Sequence, residues 1–338
     1  MKKEYPTISV VIPTFNGEGR IGDCLESITG QDYPREKIEI LVVDDDSTDG
    51  TVEVARTYGA KILTNGHRNI ERGKSIGLEQ ANNELILLLD DDNRLPSADW
   101  LTTCARAMLA NPEAVGAEAI YFKYNKNDPP ANRYCSLFGI NDAAAFYLNK
   151  RDRLMATERY WHLPGKVLRD EEDYFLIEFD EDNLPTVGSQ GFLTRRELLW
   201  QTNHKPYLFH IDSNLELVKA GHNRYLMMKL DITHQHADTV GHLLGKARRN
   251  MALFLKQANL RTYKWKTRRP RLILTVIIML TVIKPLYDSF GGFIRKPDIA
   301  WFLHPVLSFA TVFIYGFIII GWHTKRMWAS TGRGNRRK

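Results

Sequence analysis

From Ile8 onward the chain alternates short apolar runs with longer stretches of helical period. Ile8-Ser9-Val10-Val11-Ile12-Pro13 predicts a strand, and Ile21 to Ile28 predicts the helix after it. Further strands are expected at Ile38 to Val43, Ala60 to Thr64 and Glu84 to Leu89, with helices around Val52 to Tyr58 and Gly73 to Ala81 between them. Strands spaced in this way imply an α/β fold in which helices cover a parallel sheet. Ligands of such sheets bind beyond the carboxyl ends of the strands, so function is sought in the residues that follow each strand. Here those residues are unusually polar.

Phe122 to Asp182 is rich in Asn, Pro, Arg and acidic residues and weakly periodic, which predicts loops and short elements crossing an active-site face. Order returns at Leu184-Pro185-Thr186-Val187-Gly188. A helix is expected from near Ser213, because Ser213 and Glu216 have capping-box spacing.

Toward the end the pattern changes to long apolar runs. Trp301 to Trp322 is 22 residues without Asp, Glu, Lys or Arg. As a helix it reaches about 33 Å, enough for a hydrocarbon core of about 30 Å. Leu272 to Ile283 is as apolar but only 12 residues long, and Lys284, Pro285 and Asp288 interrupt it before Phe290 to Ile294 resumes. It spans with a kink or only dips in. Lys264, Lys266, Arg268, Arg269 and Arg271 precede this segment, and Lys325, Arg326, Arg333, Arg336, Arg337 and Lys338 follow the second, so both flanks read as cytoplasmic. An even number of crossings satisfies that, which favours a helical hairpin over re-entrant or interfacial helices, or over two buried helices of a soluble domain. Upstream, Leu243, Leu244, Ala247, Met251 and Leu255 fall at helical spacing beside Lys246, Arg248, Arg249 and Lys256, as in a helix lying on anionic lipid or packed on the globular body.

With 338 residues, 43% apolar and 25% charged, the chain can bury a sizeable core, and collagen, low-complexity and disulfide-scaffold classes are excluded. Its net charge of +6 hides a split: residues 1–239 carry −11 and the remainder +17. A basic end seeks phosphate, either nucleic acid or anionic lipid, and the apolar content of the same tail favours lipid. Nucleic acid is not an expected partner, since aromatic residues are not interleaved on a soluble basic face. Cys24, Cys104 and Cys135 form no CxxC pair and suggest a reducing compartment. Met1 to Pro6, polar and short, is expected to carry no signal peptide.

Two acidic clusters follow two of the strands. Asp90-Asp91-Asp92 would repel one another without a counter-charge, and as carboxylates they suit Mg2+ or Mn2+ with positions left open for phosphates, or else a solvated turn. Asp44-Asp45-Asp46-Ser47-Thr48-Asp49-Gly50 lies at a neighbouring strand end, with Asp49 read mainly as a helix cap.

Ile12-Pro13-Thr14-Phe15-Asn16-Gly17-Glu18, Val43 to Thr51, and Leu89-Asp90-Asp91-Asp92 with Pro96 and Trp100, in this order on the predicted strands, resemble a family 2 glycosyltransferase. The similarity covers roughly residues 6–240. It implies the GT-A fold, a Rossmann-like, mostly parallel sheet with helices on both faces, here followed by the C-terminal membrane hairpin. The expected division is a catalytic domain over 1–240, a basic interfacial helix and linker over 241–270, two membrane helices over 271–323 and a basic tail over 324–338.

By that resemblance Pro13, Thr14 and Glu18 line the nucleotide pocket, and Asp44 or Asp45 binds the base and ribose of a nucleotide-sugar. Arg72 and Lys74 touch phosphate, or simply open a helix. Asp90 and Asp92 match the family's DxD pair, which holds a divalent metal on the donor's diphosphate, with Asp91 in the variable place beside the donor. Gly188 and Gly191 resemble the acceptor-side segment, where glycine lets backbone approach a sugar. Asp212 takes the place of the catalytic base, although Ile211 and Asn214 stand where acids are common, and helix entry is its other reading. His234 or His236 is a candidate further ligand of the metal.

The expected activity is metal-dependent, inverting transfer of one sugar from a nucleotide-diphosphate donor to a membrane-held, polyprenyl-linked glycan. No glutamine-arginine-tryptophan signature of a processive synthase occurs. The expected place is the cytoplasmic membrane, multi-pass, with the catalytic domain and C-terminus facing the cytoplasm. The alternatives are a synthase that glycosylates polyprenyl phosphate directly and an inactive membrane scaffold. A Rossmann dehydrogenase is excluded because Pro13-Thr14-Phe15-Asn16 replaces GxGxxG after the first strand.

Overall fold

The computed structural model describes residues 5–188, 190–263 and 269–334, with side chains as far as 325. Ser189, Lys264, Lys266, Arg268, Arg336, Arg337 and Lys338 of the sequence reading lie outside the described residues, as do the side chains of Arg326 and Arg333.

The first elements are β1 (Ile8–Thr14), α1 (Glu18–Thr29), β2 (Ile38–Asp44), α2 (Thr51–Thr57), β3 (Lys61–Thr64), α3 (Ile70–Gln80) and β4 (Leu85–Leu88). They are followed by β5 (Asn93–Arg94), α4 (Trp100–Ala110), β6 (Ala114–Phe122), α5 (Pro130–Phe138), α6 (Ala143–Leu148), β7 (Lys166–Asp170) and β8 (Tyr174–Glu178). Then come β9 (Phe192–Arg195), α7 (Arg196–Trp200), α8 (His210–Lys219), β10 (Arg224–His234), α9 (Val240–Gln257), α10 (Arg269–Thr281), α11 (Ile283–Arg295) and α12 (Leu303–Gly334). The chain separates into two compact units, residues 1–124 with 150–235 and residues 125–149 with 236–338.

The first unit is built on one sheet in the order β3-β2-β1-β4-β9-β6-β10-β8-β7, with β5 paired to β10. β3, β2, β1 and β4 run parallel, as do β6 and β10, while β9 runs antiparallel between the two groups. Side chains on β1 alternate between two cores, as the period of two requires. Ile8, Val10 and Ile12 pack with Ile21, Leu25 and Ile28 of α1 and with Trp100 and Leu101 of α4. Val11 turns the other way, toward Leu41, Ile86, Leu88 and Leu78 of α3. Each such side chain contributes about 1.5–3 kcal/mol when fully buried. Helices thus cover both faces, and the carboxyl ends of β1, β2 and β3 come level at Thr14, Asp44 and Thr64.

Two local expectations are corrected. The helix expected from Ser213 begins at His210, with Phe209 as its cap and no side-chain cap bond. Ser213 instead meets the Thr202 hydroxyl at 3.2 Å, and Glu216 accepts the Asn203 amide at 2.7 Å. Burial of Ile211, Leu215 and Val218 at helical spacing extends the helix upstream of the box. Asp49 does more than cap one helix: it accepts the amides of Thr51 and Glu18, both at 3.2 Å, while Glu18 accepts the Gly50 amide at 3.1 Å. The starts of α1 and α2 exchange carboxylates, each favoured by the positive end of the other helix.

The stretch expected as loops and short elements between Phe122 and Asp182 is split. Residues 125–149 form α5 and α6 of the second unit. β7 and β8 form a hairpin on the Arg224–Met228 half of β10, away from its His234 end.

The second unit is helical. Ala143, Ala144 and Leu148 of α6 pack with Met279 of α10. His304 of α12 lies between two hydroxyls, with Tyr134 Oη 2.9 Å from Nδ1 and Tyr147 Oη 2.9 Å from Nε2. Arg133 forks onto Asp298 at 2.8 and 3.1 Å. Among the described residues one helix is long and apolar enough to cross a membrane, over Ile299–Lys325, with mean hydropathy 2.0. α10 and α11, at 13 residues each, rise about 20 Å apiece. They bend by 70° at a break where Val282 has φ of 52°, so the run over 272–294 is a broken pair rather than a straight second span.

A glycine at the contact of α3 with β1 tests the packing. A Cβ on Gly77 would lie 2.2 Å from Val11 Cγ1, whereas one on Gly19 of α1 meets nothing within 4 Å. Gly77→Ala should lower the unfolding free energy by about 1–3 kcal/mol in a denaturant titration, while Gly19→Ala leaves it unchanged or raises it by up to about 1 kcal/mol.

Candidate active site

Thr14 fastens three strand ends together. Its carbonyl accepts the Asp45 amide at 3.0 Å, and its hydroxyl donates to Asp91 Oδ2 at 2.7 Å. Asp45 Oδ1 accepts the amides of His67 and Arg68 at 3.0 and 2.7 Å, fixing the loop after β3. Asp44 Oδ2 accepts the Ser47 amide at 3.1 Å. Asp44 Oδ1 and Asn65 Oδ1 are buried acceptors with no hydrogen-bond partner among the described residues, a condition that native interiors seldom leave unexplained. Pro13 pairs with Val43 along β1, and Glu18 is engaged at Gly50 as described. Arg72 lies in the first turn of α3, its amide donated to the Asn69 cap at 2.9 Å. Its Nε is buried without a hydrogen-bond partner among the described residues.

Each residue of the second acidic cluster meets a cation or a donor. Buried Lys74 reaches Asp90 Oδ1 at 3.1 Å. Arg20 reaches Asp91 at 3.1 Å. Burial raises the Asp91 carboxyl above its ordinary range, against the pull of Arg20 and Thr14. Asp92 Oδ2 lies 3.3 Å from His234 Nε2, and Asp92 Oδ1 accepts Asn93 Nδ2 at 3.3 Å. The pairing of β5 with β10 creates this meeting, since it sets Asn93 opposite His234, and the Gln235 amide donates to the Asp92 carbonyl at 3.1 Å. His236 belongs to the helical unit, where its amide donates to Asn132 at 2.7 Å.

A divalent metal is implied by the resemblance above. No group of three or more His, Cys, Asp or Glu side chains poised for one is found among the described residues. Two ligands do fit: neighbouring ligands at about 2.1 Å from an octahedral ion lie about 3 Å apart, close to the Asp92 to His234 separation of 3.3 Å. A carboxylate and an imidazole suit Mn2+ with most positions left open. Asp90 is instead paired with Lys74 through Oδ1.

In the segment expected on the acceptor side, the Gly191 amide donates to the Leu88 carbonyl at 3.0 Å, just before the acidic run. Gly188 has φ of 107°, and a Cβ there would meet Asn214 Nδ2 at 2.5 Å and His210 Cβ at 3.4 Å. The start of α8, with Asp212 buried in its first turn, therefore packs on Gly188. Gly188 thus lies at that turn and Gly191 at the end of β4.

Sequence reasoning missed Glu118 and Arg153. Glu118 Oε2 accepts the Gly188 amide at 3.0 Å, and Oε1 accepts from Arg153 at 3.1 Å. Arg153 also donates to the Gln190 carbonyl at 2.9 Å and to Asp152 at 2.7 Å. The signal available was a lone acid inside the apolar run Ala114 to Phe122. Burial pushes the Glu118 carboxyl up to about 8, against the attraction of Arg153.

Residues 9–201 match the family described as Glycosyl transferase family 2. Glycosyltransferase AglE of Haloferax volcanii is 30% identical over 142 residues, 40% of this chain and 46% of that protein. A dolichyl N-acetyl-alpha-D-glucosaminyl phosphate 3-beta-D-2,3-diacetamido-2,3-dideoxy-beta-D-glucuronosyltransferase of Methanococcus voltae is 28% identical over 184 residues, 51% of this chain and 57% of that one. The chain thus spans about half the length of these relatives. In fold it is similar to the mannosyltransferase PcManGT from Pyrobaculum calidifontis, solved in complex with GDP-Man and Mn2+, with a TM-score of 0.53 and 17% identity over 93% of this chain and 88% of that one.

The raised Glu118 carboxyl has a consequence for stability. Between its ordinary value of 4.5 and about 8 the native state holds a proton that the unfolded chain releases. The stabilisation this gives is complete below the lower value and is lost as pH rises through the upper one. Glu118→Gln cannot titrate, so the unfolding free energy of the native protein minus that of the variant should decline from about pH 5 to about pH 8.5 in urea titrations. A flat difference would show the carboxyl ionised throughout.

Proposed function

Because the chain belongs to glycosyl transferase family 2, we propose that it moves a single sugar from a nucleotide-diphosphate donor to an acceptor held at a membrane, inverting the anomeric carbon. The observation that carries this reading is the meeting of Thr14, Asp45, Asp91 and the Asp92 and His234 pair at one end of the sheet.

In this reading Asp44 and Asn65, with acceptor atoms in want of donors, receive the N–H and O–H groups of the base and ribose. Pro13, Thr14 and Glu18 shape the same pocket, and Asp45 keeps its floor rigid through His67 and Arg68. Arg72 and Lys74 lie on the diphosphate side, Lys74 also holding Asp90 in place. Asp92 and His234 would hold Mn2+ or Mg2+, which supplies positive charge to the departing diphosphate. Asp212 accepts the proton of the acceptor hydroxyl as that oxygen bonds to the anomeric carbon. The bond from that carbon to the diphosphate oxygen breaks in the same step, and the donor's electron pair leaves with the nucleoside diphosphate. Gly188 and Gly191 admit the acceptor sugar close to the backbone.

The helical unit favours a lipid-linked acceptor. Phe309, Phe313, Phe317 and Ile320 of α12 and Leu286, Phe290 and Ile294 of α11 are exposed at helical spacing, a face that suits hydrocarbon rather than water. The Methanococcus voltae relative carries a dolichyl-phosphate-linked sugar in its name. We place α12 across the bilayer and the bent α10 and α11 pair as the second crossing. Catalytic unit and basic C-terminus then both face the cytoplasm. Arg248, Arg249 and Lys256, exposed on α9, lie toward anionic lipid.

Membranes carrying the full chain, supplied with nucleotide-sugars and lipid-linked acceptors, test the chemistry. Asp212→Asn should lower the transfer rate by about 100- to 10,000-fold and leave donor binding in calorimetry unchanged. Asp92→Ala and EDTA should weaken donor binding and transfer together. Full transfer by Asp212→Asn would remove the base from that residue, and transfer intact in EDTA would remove the metal from Asp92 and His234.

A further inference from the structure

We infer that Glu118 and Arg153 are positioning residues, which hold Gly188, Gln190 and Gly191 against the Asp92 and His234 end of the sheet and thereby set how the acceptor is received. The inference rests on the glycosyl-transfer reading of that segment, and neither residue is placed on substrate.

The geometry leaves this pair little else to do. Glu118 is fully buried and Arg153 is 1% exposed. Burying a carboxyl and a guanidinium together gives little or no net stability over an apolar replacement of the same volume, and here a second acid, Asp152, lies 2.7 Å from the same guanidinium. Both carboxyl oxygens of Glu118 are used, one on the Gly188 amide and one on Arg153. Arg153 in turn reaches the Gln190 carbonyl, so Gly188 and Gln190, with left-handed glycines at 188 and 191, are tied to one strand residue. Thr186 adds a brace from the same neighbourhood, its amide donating to the Lys150 carbonyl at 3.1 Å.

The other side of Arg153 faces the Asp92 and His234 pair by way of Phe122. Its guanidinium lies 4.5 Å over the Phe122 ring, and that ring lies 5.7 Å from the His234 imidazole, which reaches Asp92. One planar cation therefore abuts both the Gln190 carbonyl and the ring beside His234. A lysine keeps the charge but has no fork, so it cannot serve Glu118, Asp152 and Gln190 together.

Arg153→Lys and Glu118→Gln in the full-length protein decide the matter. We expect the acceptor KM to rise at least tenfold while the donor KM and the slow hydrolysis of donor by water change less than twofold. Hydrogen exchange of the native protein should quicken in the peptide spanning residues 184–195 and stay unchanged in peptides of β1 and β2. A change in both KM values together, with exchange quickened throughout the sheet, would make the pair a plain element of the core and overturn the inference. Unchanged exchange at 184–195 would overturn it whatever the kinetics. Wild-type protein that transfers no sugar to any acceptor would overturn the glycosyl-transfer reading, and with it the acceptor role, while the exchange result reports separately on whether the segment is held.

Discussion

Seven aspartates, at positions 44, 45, 46, 49, 90, 91 and 92, crowd the ends of the two strands that flank β1, and their mutual repulsion is the constraint around which the catalytic unit is arranged. Like charges this close raise one another's cost of ionisation unless each finds a donor or cation. The fold supplies these for six of the seven: the Ser47 amide for Asp44, two loop amides for Asp45, helix amides for Asp49, Lys74 for Asp90, Arg20 and Thr14 for Asp91, and Asn93 and His234 for Asp92. Those partners come from strand ends, from the loops after β2 and β3, and from α1, α2 and α3. Answering the repulsion is thus the same act as drawing those loops to one edge, and an incoming cation and diphosphate would meet a site already assembled.

The parallel half of the sheet was legible because its strands are short apolar runs bounded by polar turns, and its helices have clear periodicity. β6 and β10 were not. Ala114 to Phe122 is diluted with small residues and broken by Glu118, while β10 mixes Met227 and Met228 with Lys229 and Asp231. Methionine and a buried acid blur the alternation that marks a strand, and the acid is there because the segment above it needs an acceptor. The antiparallel β9 was hidden for another reason, as four residues carry too little pattern to declare a direction.

Within the site, residues on strand ends were placed by motif and order, and residues brought in by long-range pairing were not. His234 was one of two candidates; the pairing of β5 with β10 selects it for Asp92, and no local pattern foretells a two-residue strand. Glu118 and Arg153 lie 35 positions apart and meet only through tertiary structure. The division of residues 125–149 into the helical unit was equally silent, since Tyr134 and Tyr147 acquire a role only once His304 stands between them.

The claim on which the account turns is that Asp92 and His234 together receive the ion that binds the donor's diphosphate. Electron spin echo modulation of Mn2+ bound to the full chain with a nucleoside diphosphate reads that contact directly. The account predicts a nitrogen coupling from a coordinated imidazole that disappears in His234→Gln. A spectrum without nitrogen coupling, or one that His234→Gln leaves unaltered, would contradict it.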